Sequence, residues 1–162
     1  MTDMPLFSHA PQDKPETDAQ QPSTLVRVEA IVPVDILNAC EGLVDYTDLW
    51  WPRNQRLSTD PEAQLIWDEN SLFEIDEQGN VHLWGHNHRS EPPLKISFLL
   101  ENEAFPHHIA TFTFTPHGVQ STRVDIRAEA PRANHRITSS IWRDVLQSYS
   151  TFMGNRERAQ RT

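Results

Sequence analysis

The sequence is poor in cysteine and glycine, and both shortages exclude particular kinds of functional site. Cys40 is the only cysteine, so the chain forms no intrachain disulfide and offers no multi-cysteine metal cage. Only five glycines are present, and none lies in a phosphate-binding loop, a dinucleotide fingerprint or a Gly-x-Ser-x-Gly elbow. We therefore expect no bound cofactor. The lone cysteine also agrees with a reducing compartment.

Basic residues and long apolar runs are scarce as well. The chain has 14 Lys and Arg against 23 Asp and Glu, a formal net charge of -9 at pH 7. Nucleic acid and anionic membrane surfaces are therefore unexpected partners, because both need a positive field on the protein. No apolar run approaches the length of a membrane span, and residues 1–11 lack the basic and apolar regions of a secretory signal. We expect a cytoplasmic protein.

Both ends of the sequence differ in composition from the middle. Residues 1–22 hold four of the twelve prolines, no glycine and few apolar side chains, with an excess of acidic residues. Such a segment buries too little apolar surface to offset its ordering entropy, so we predict a disordered, Pro-rich acidic tail. Residues 155–162 follow Gly154 and are predicted to form a basic tail. The ordered domain is therefore expected to span residues 23–154.

The longest apolar pattern lies at residues 137–153. Its apolar side chains recur at steps of one, three and four residues, which places them on one broad face of an α-helix. Gly154 is predicted to end this helix. A face of this width needs a large apolar surface to pack against. The positions are Ile137, Ile141, Trp142, Val145, Leu146, Tyr149, Phe152 and Met153.

The predicted domain begins with a strand and two short helices. In residues 26–32, apolar side chains alternate with Arg27 and Glu29, which is typical of a half-buried strand. Pro33 ends the strand, and Asp35 can cap a first helix. A second helical turn at residues 45–51 is closed by Pro52.

Short strands fill the rest of the domain, and a turn at residues 116–118 predicts that the last two form a hairpin. With the first strand they make seven, and no strand-helix-strand alternation suggests a parallel sheet. We predict an α+β fold, a curved seven-stranded antiparallel sheet around a long C-terminal helix. A sheet wrapped around one helix rarely fills its interior, so we also expect a cavity. The six further strands are predicted at residues 65–67, 72–75, 81–84, 94–100, 108–115 and 122–130.

Several segments, in this order, resemble the SRPBCC or START-like helix-grip superfamily, which includes lipid-binding domains, birch-pollen-allergen-like proteins and polyketide cyclases. The resemblance covers residues 24–154 and is nearest to homologues of the heat-shock ATPase activator. It implies the helix-grip fold, an apolar ligand or a chaperone partner, and possible cyclase chemistry. The segments that carry it are Leu49-Trp50-Trp51-Pro52, Trp84-Gly85, Glu91-Pro92-Pro93-Leu94-Lys95-Ile96, Phe112-Thr113-Phe114-Thr115-Pro116, Thr122-Arg123-Val124 and Trp142 with Leu146.

Few residues of this sequence suggest a catalytic or metal-binding site. His82, His86 and His88 share strand parity with Trp84, but a spacing of four strand positions is roughly 13 Å, so no metal site is expected. Cys40 is interpreted as a small core residue rather than a nucleophile. Acid or base work in a pocket remains open, although capping and packing explain the same side chains more simply. The candidates are Asp45, Asp48, His86, Arg123 and Tyr149.

Three functions remain in competition. The first is binding of a small, largely apolar ligand in a cavity between the sheet and the C-terminal helix. The second is a chaperone-associated stress-response module, and the third is a cyclase-like or hydrolase-like enzyme. No catalytic residue is assigned. For the first function, the residues expected to line the cavity are Trp50, Trp84, His86, Phe98, Phe112, Trp142, Tyr149 and Met153.

Overall fold

The structure, a computed structural model, describes residues 23–101, 106–131 and 139–161. The elements follow one another in an order close to the predicted one, strand, short helices, six strands and a long helix. They are β1 (Ser23–Val32), α1 (Ile36–Asp45), α2 (Thr47–Trp50), a 3-10 turn (Arg53–Gln55), β2 (Gln64–Trp67), β3 (Ser71–Ile75), β4 (Val81–Asn87), β5 (Lys95–Glu101), β6 (Pro106–Pro116), β7 (Thr122–Pro131) and α3 (Ser139–Arg161).

The seven strands form one antiparallel sheet in the order β1-β7-β6-β5-β4-β3-β2. All strand neighbours in this order pair antiparallel, which confirms the predicted sheet. The predicted hairpin is β6 and β7, whose turn includes Gly118 at a φ of 79°, a left-handed conformation that glycine adopts without strain. The first strand, β1, pairs with the last strand, β7. The two edge strands of the sheet are therefore β1 and β2.

The two short helices follow β1 as predicted. Asp35 caps α1, because its carboxylate accepts a hydrogen bond from the backbone N–H of Asn38 at 2.9 Å. The apolar face of α1 is buried at Ala39, Cys40 and Leu43. α1 packs against β6 and α2 against β2.

The C-terminal helix extends further than the sequence predicts. α3 ends at Arg161, so Gly154 does not terminate it and the predicted basic tail at residues 155–162 is helical through residue 161. The residues after Gly154 are mostly good helix formers, which offsets the cost of about 1 kcal/mol that glycine brings to a helix interior. The predicted start, Ile137, lies outside the described residues, as does the predicted tail at 1–22. Within the described residues, no helix combines the length and the apolar character needed to span a bilayer.

The core lies between the inner face of the sheet and the apolar face of α3. Trp142, Val145, Leu146, Tyr149 and Met153 are all buried, whereas the polar residues between them are exposed or half-buried. The strands contribute alternate side chains, so the sheet has one packed face and one more exposed face. This is the arrangement that the spacing of the apolar residues predicts.

Candidate functional site

Aromatic side chains fill much of the interior between the sheet and the helices. Their ring centroids lie 5.2 to 6.5 Å apart, and most pairs meet edge to face, the geometry that aromatic quadrupoles favour. The rings come from α2 and the residue that follows it, from four strands and from α3. We call this group the aromatic cluster, and it consists of Trp50, Trp51, Trp67, Trp84, Phe98, Phe112, Trp142 and Tyr149.

A small void lies inside the aromatic cluster. It is too small to admit a water molecule, so in this conformation the rings close it. None of the side chains around it is titratable. The lining residues are Leu43, Thr47, Trp50, Trp51, Trp67, Phe98 and Phe112.

Three indole N–H groups in the cluster have no hydrogen-bond partner among the described residues. They belong to Trp51, Trp67 and Trp142, and each nitrogen is buried. An unpartnered buried donor costs about 1 to 3 kcal/mol relative to a satisfied one. Trp51 and Trp67 also line the void, so the cluster combines apolar surface with unused donors.

A groove opens to solvent beside the void. Its volume is about 400 Å³, within the usual range for small-molecule sites. Cys40 and Ile96 form its buried part, and Ile96 is two strand positions, roughly 7 Å, from Phe98 of the void. We call it the outer groove, and its lining residues are Leu37, Cys40, Glu41, Val44, Asp45, Pro92, Pro93 and Ile96.

The structure places most of the predicted cavity residues in this region. Trp50, Phe98 and Phe112 line the void. Trp84, Trp142, Tyr149 and Met153 are buried in the surrounding core. Whether these seven side chains contact a ligand stays a prediction.

His86 lies elsewhere, on an exposed position of β4. The reason is a bulge, because Leu83 pairs with Phe73 while Gly85 pairs with the preceding residue, Leu72, which leaves Trp84 as an extra residue in β4. The extra residue reverses the alternation of side chains after Trp84. The assumed shared parity of Trp84 and His86 is therefore wrong, and His86 pairs with Leu99 rather than with an inward position.

Trp51 is absent from the residues predicted to line the cavity, although its neighbour Trp50 is among them. Both indoles are buried and their rings are 5.5 Å apart. Both can face inward because α2 ends at Trp50 and the backbone of Trp51 is extended, so neither helical nor strand periodicity relates the two side chains. Pro52 after a short helix is the signal that could have indicated this break.

A buried carboxylate next to the cluster was also missed. Glu74 is fully buried and accepts hydrogen bonds from the backbone N–H groups of Leu57 and Ser58, at 2.6 and 2.9 Å, and from the indole of Trp84 at 2.6 Å. Its position two residues after buried Leu72 in β3 is the sequence signal for an inward direction. These bonds tie the segment after the 3-10 turn to the sheet.

Arg56 forms a second polar anchor in the same segment. Its guanidinium donates to the carboxylate of Asp48 at 3.2 Å and to the backbone oxygens of Asp48 and Ala63, at 2.9 and 3.3 Å. Burial lowers the pKa of Arg56, with Arg53 nearby acting in the same direction. Asp48 also accepts from the backbone N–H of Leu65. Asp48 is therefore a structural anchor for β2 rather than a free acid.

The remaining chemical candidates do not converge. Tyr149 is buried, donates to the backbone oxygen of Ala39 at 2.6 Å, and has its pKa raised by burial. Burial also raises the pKa of Cys40 to about 11, the opposite of what a nucleophile needs. Arg123 pairs with Asp125 of its own strand at 3.6 Å. Within the described residues, no three His, Cys, Asp or Glu side chains are grouped so that they could hold a metal ion.

Comparison with known proteins relates the fold, but not the sequence, to other proteins. No protein-family model matches the chain, and no curated protein is significantly similar to it. Among solved structures, an AHSA1-like protein from Aeromonas hydrophila superimposes with a TM-score of 0.54 at 13% identity, covering 80% of this chain and 91% of that one.

Two further structures come from proteins with other described roles. The self-sacrificing resistance protein CalC from Micromonospora echinospora has a TM-score of 0.56 at 22% identity, covering 84% of this chain and 96% of its own. The anthrahydroquino-gamma-pyrone synthase Txn09, solved with a bound compound, has a TM-score of 0.51 at 18% identity, covering 78% and 95%. Together with the sheet order and the long C-terminal helix, these similarities show that the chain has the helix-grip fold.

Proposed function

We propose that this protein binds a small, largely apolar ligand between the sheet and the helices, through the outer groove. The observation that carries the proposal is the outer groove itself, an apolar depression of about 400 Å³ whose buried part adjoins the aromatic cluster. Sites for small ligands are typically concave and apolar with a few polar groups. Glu41 and Asp45 supply charged groups at the groove, and the unpartnered indoles supply donors further inside.

The closed void defines what binding requires. A ligand that occupies the outer groove displaces no buried ring, whereas one that reaches the void must move Phe98 or Trp67. Trp67 is only half-buried, so its movement exposes less apolar surface than movement of a fully buried ring. We therefore expect the apolar part of the ligand to enter past Ile96 and to open the void by displacing Trp67 of β2.

Variants at two equally exposed leucines test the site. Leu37 is 62% exposed and lines the outer groove, while Leu49 is 67% exposed on α2 and does not line it. Binding is followed by the fluorescence of anilinonaphthalene sulfonate and by thermal shift with fatty acids, sterols and aromatic polyketides. Leu37→Glu should weaken binding about tenfold or more, because it brings a charge to an apolar site and repels the anionic dye and fatty acids, whereas Leu49→Glu should leave it unchanged.

Two results would contradict the proposal. The first is the absence of saturable binding and of any thermal shift across all three ligand classes. The second is an equal loss of binding in the Leu37 and Leu49 variants, since that pattern indicates dye adsorption to exposed leucines. Mass spectrometry of the purified protein provides an independent test, because a ligand that co-purifies identifies the chemical class directly.

Chaperone association is the second candidate function. It is favoured by the AHSA1-like structural neighbour and by the exposure of Leu37 and Leu94, at 62% and 55%, near the outer groove. Exposed apolar patches commonly contact other proteins. A pull-down at low salt with the full chain as bait distinguishes the two functions. Capture of a heat-shock ATPase that Leu37→Glu abolishes would support this candidate, and recovery of no chaperone would count against it.

Catalysis has less support in the site. An enzyme of the cyclase or hydrolase type needs at least two titratable groups that converge inside its pocket. The residues around the void provide none, and Glu41 and Asp45 of the outer groove are solvent-exposed. A cytoplasmic location remains part of the proposal, supported by the single buried cysteine, which suits a reducing compartment.

A further inference from the structure

The first strand is an edge strand of the sheet. β1 is ten residues long and pairs with β7 on one side, while none of the strands in the described residues lies on its other side. A long edge strand presents a row of backbone N–H and C=O groups that can pair with another strand. Among residues 25–31 no proline interrupts this row. β1 is therefore able to accept an additional strand.

The C-terminal helix leaves this edge accessible. A groove of about 440 Å³ lies between residues 27–30 of β1 and one side of α3. The helix side of this edge groove consists of the buried Leu146, the charged Arg143 and three uncharged polar residues, Gln147, Ser150 and Thr151.

The charges of β1 have unfavourable neighbours within the monomer. Arg27 pairs in register with Arg127 of β7, and Glu29 pairs in register with Asp125. Like charges directly opposite one another destabilise a sheet. The β7 charges form ion pairs along their own strand, Arg127 with Glu129 at 3.8 Å among them. In the described parts of the chain, Arg27 and Glu29 have no ion-pair partner, so intramolecular contacts do not explain this charge pattern.

A second copy of β1 provides the missing partners. When two β1 strands run antiparallel with Val28 opposite Val28, Arg27 of each copy faces Glu29 of the other. Leu25, 48% exposed, then faces Ile31, 49% exposed, and both pairs occur twice because of the two-fold symmetry. On the opposite face, Val26 meets Ala30. Each of these pairs joins either two apolar side chains or two side chains of opposite charge.

We propose that the protein forms a homodimer through antiparallel β1–β1 pairing centred on Val28. The neighbouring registers are disfavoured, because centring on Arg27 or on Glu29 places two like charges directly opposite each other. The dimer joins two seven-stranded sheets into one continuous sheet and removes the exposed edge. The pairs Arg27–Glu29 and Leu25–Ile31 make the strand self-complementary, which is the requirement for a two-fold interface.

Reversing the charge at position 27 or position 29 tests the dimer with variants that are expected to fold. R27E places a carboxylate opposite Arg127 in the same chain, and E29R places a guanidinium opposite Asp125, so neither variant should destabilise the folded monomer. In the homodimer, each variant instead produces like-charge pairs. Sedimentation equilibrium of the full chain, over about a hundredfold range of concentration at low and moderate salt, should show dimer Kd values raised about tenfold or more for each single variant.

Two rescue experiments make the test specific. The double variant R27E/E29R restores opposite charges across the two-fold axis and should dimerise like the wild type. An equimolar mixture of R27E and E29R should form a heterodimer, because every charge pair across that interface is then opposite in sign. A merely structural role for Arg27 and Glu29 would produce neither rescue.

Several outcomes would overturn the proposal. The proposal is wrong if the wild-type chain is monomeric at all concentrations. It is also wrong if the wild type forms a dimer whose Kd is unchanged by both single variants, because such a dimer must use another surface. A monomeric wild type in which the β1 amides that do not pair with β7 are protected in hydrogen exchange would show that another part of the same chain covers the edge, and would equally exclude the β1 dimer.

Discussion

At the scale of single residues, Cys40 shows how burial controls reactivity. Burial raises the pKa of its thiol to about 11 from an ordinary value of 9.0, and Asp45 and Glu41 act in the same direction. The thiolate, which is the reactive form, is therefore about 100-fold scarcer at pH 8 than for an exposed cysteine. Alkylation by iodoacetamide should be slow in the folded protein and should accelerate about tenfold per pH unit up to pH 10.

The same shift has a consequence for stability. The folded state binds the thiol proton more tightly than the unfolded state, so its contribution is present below pH 9 and is lost as the pH rises towards 11. Alkylation in urea provides the control, since the unfolded chain should react at the ordinary rate. Equal rates for folded and unfolded protein at pH 8 would show that Cys40 is not protected.

Glu74 is the residue at which a small chemical change should have a large effect. Its carboxylate accepts three N–H bonds, from Leu57, Ser58 and Trp84, and Gln offers one acceptor oxygen with an NH2 group in place of the second. Glu74→Gln should therefore lower the free energy of unfolding by about 2 to 3 kcal/mol, measured by urea denaturation. Glu77→Gln, at an exposed position three residues further on, should change it by less than about 0.5 kcal/mol.

Among the secondary-structure elements, α3 can be tested by a substitution at Gly154, which distinguishes a helix that continues to Arg161 from one that ends at Gly154. The structure places it inside the helix, with no atom within 4 Å of where a Cβ would lie. Gly154→Ala should therefore stabilise the protein by about 1 kcal/mol, because alanine has the higher helix propensity. If the helix ended at Gly154 in a left-handed conformation, the same change would destabilise it.

Gly79 is the matched control for this measurement. It is also free of close contacts, but its φ is 87°, a conformation that strains any residue with a Cβ. Gly79→Ala should lower the unfolding free energy by about 1 kcal/mol, opposite in sign to the change at Gly154. Thermal and urea denaturation of the two variants side by side give the comparison.

The secondary-structure elements also show which parts of the fold could be predicted from the sequence. Alternation in β1, the cap at Asp35 and the turn at Gly118 depend on local chemistry, and the predicted elements there match the structure. The predicted end of α3 and the predicted inward direction of His86 do not match. A helix can tolerate one glycine, and a bulge at Trp84 reverses strand parity, for which the adjacent Gly85 is the only local sequence signal.

At the scale of the whole molecule, the sheet order and helix-grip arrangement follow from seven strands and one long apolar helix, whereas the shape of the interior does not. The sequence predicted that aromatic residues gather between the layers, and Phe98, Phe112 and Trp142 do so. It could not predict that the rings close the void, because that depends on side-chain packing between elements distant in the chain. The outer groove likewise arises where α1 meets the start of β5.

The contact between α3 and the sheet decides whether the helix is core or lid. Trp142 is 1% exposed and its ring lies 6.5 Å from that of Phe112, so it joins the helix to β6. Trp142→Ala should lower the unfolding free energy by about 3 to 5 kcal/mol, because it removes a large buried side chain and leaves a cavity. Trp142→Phe should cost less, since a six-membered aromatic ring is kept and the smaller group that is lost includes the unpartnered N–H. A loss below about 1 kcal/mol for Trp142→Ala, accompanied by altered binding of anilinonaphthalene sulfonate, would instead show that this end of α3 opens as a lid over the aromatic cluster.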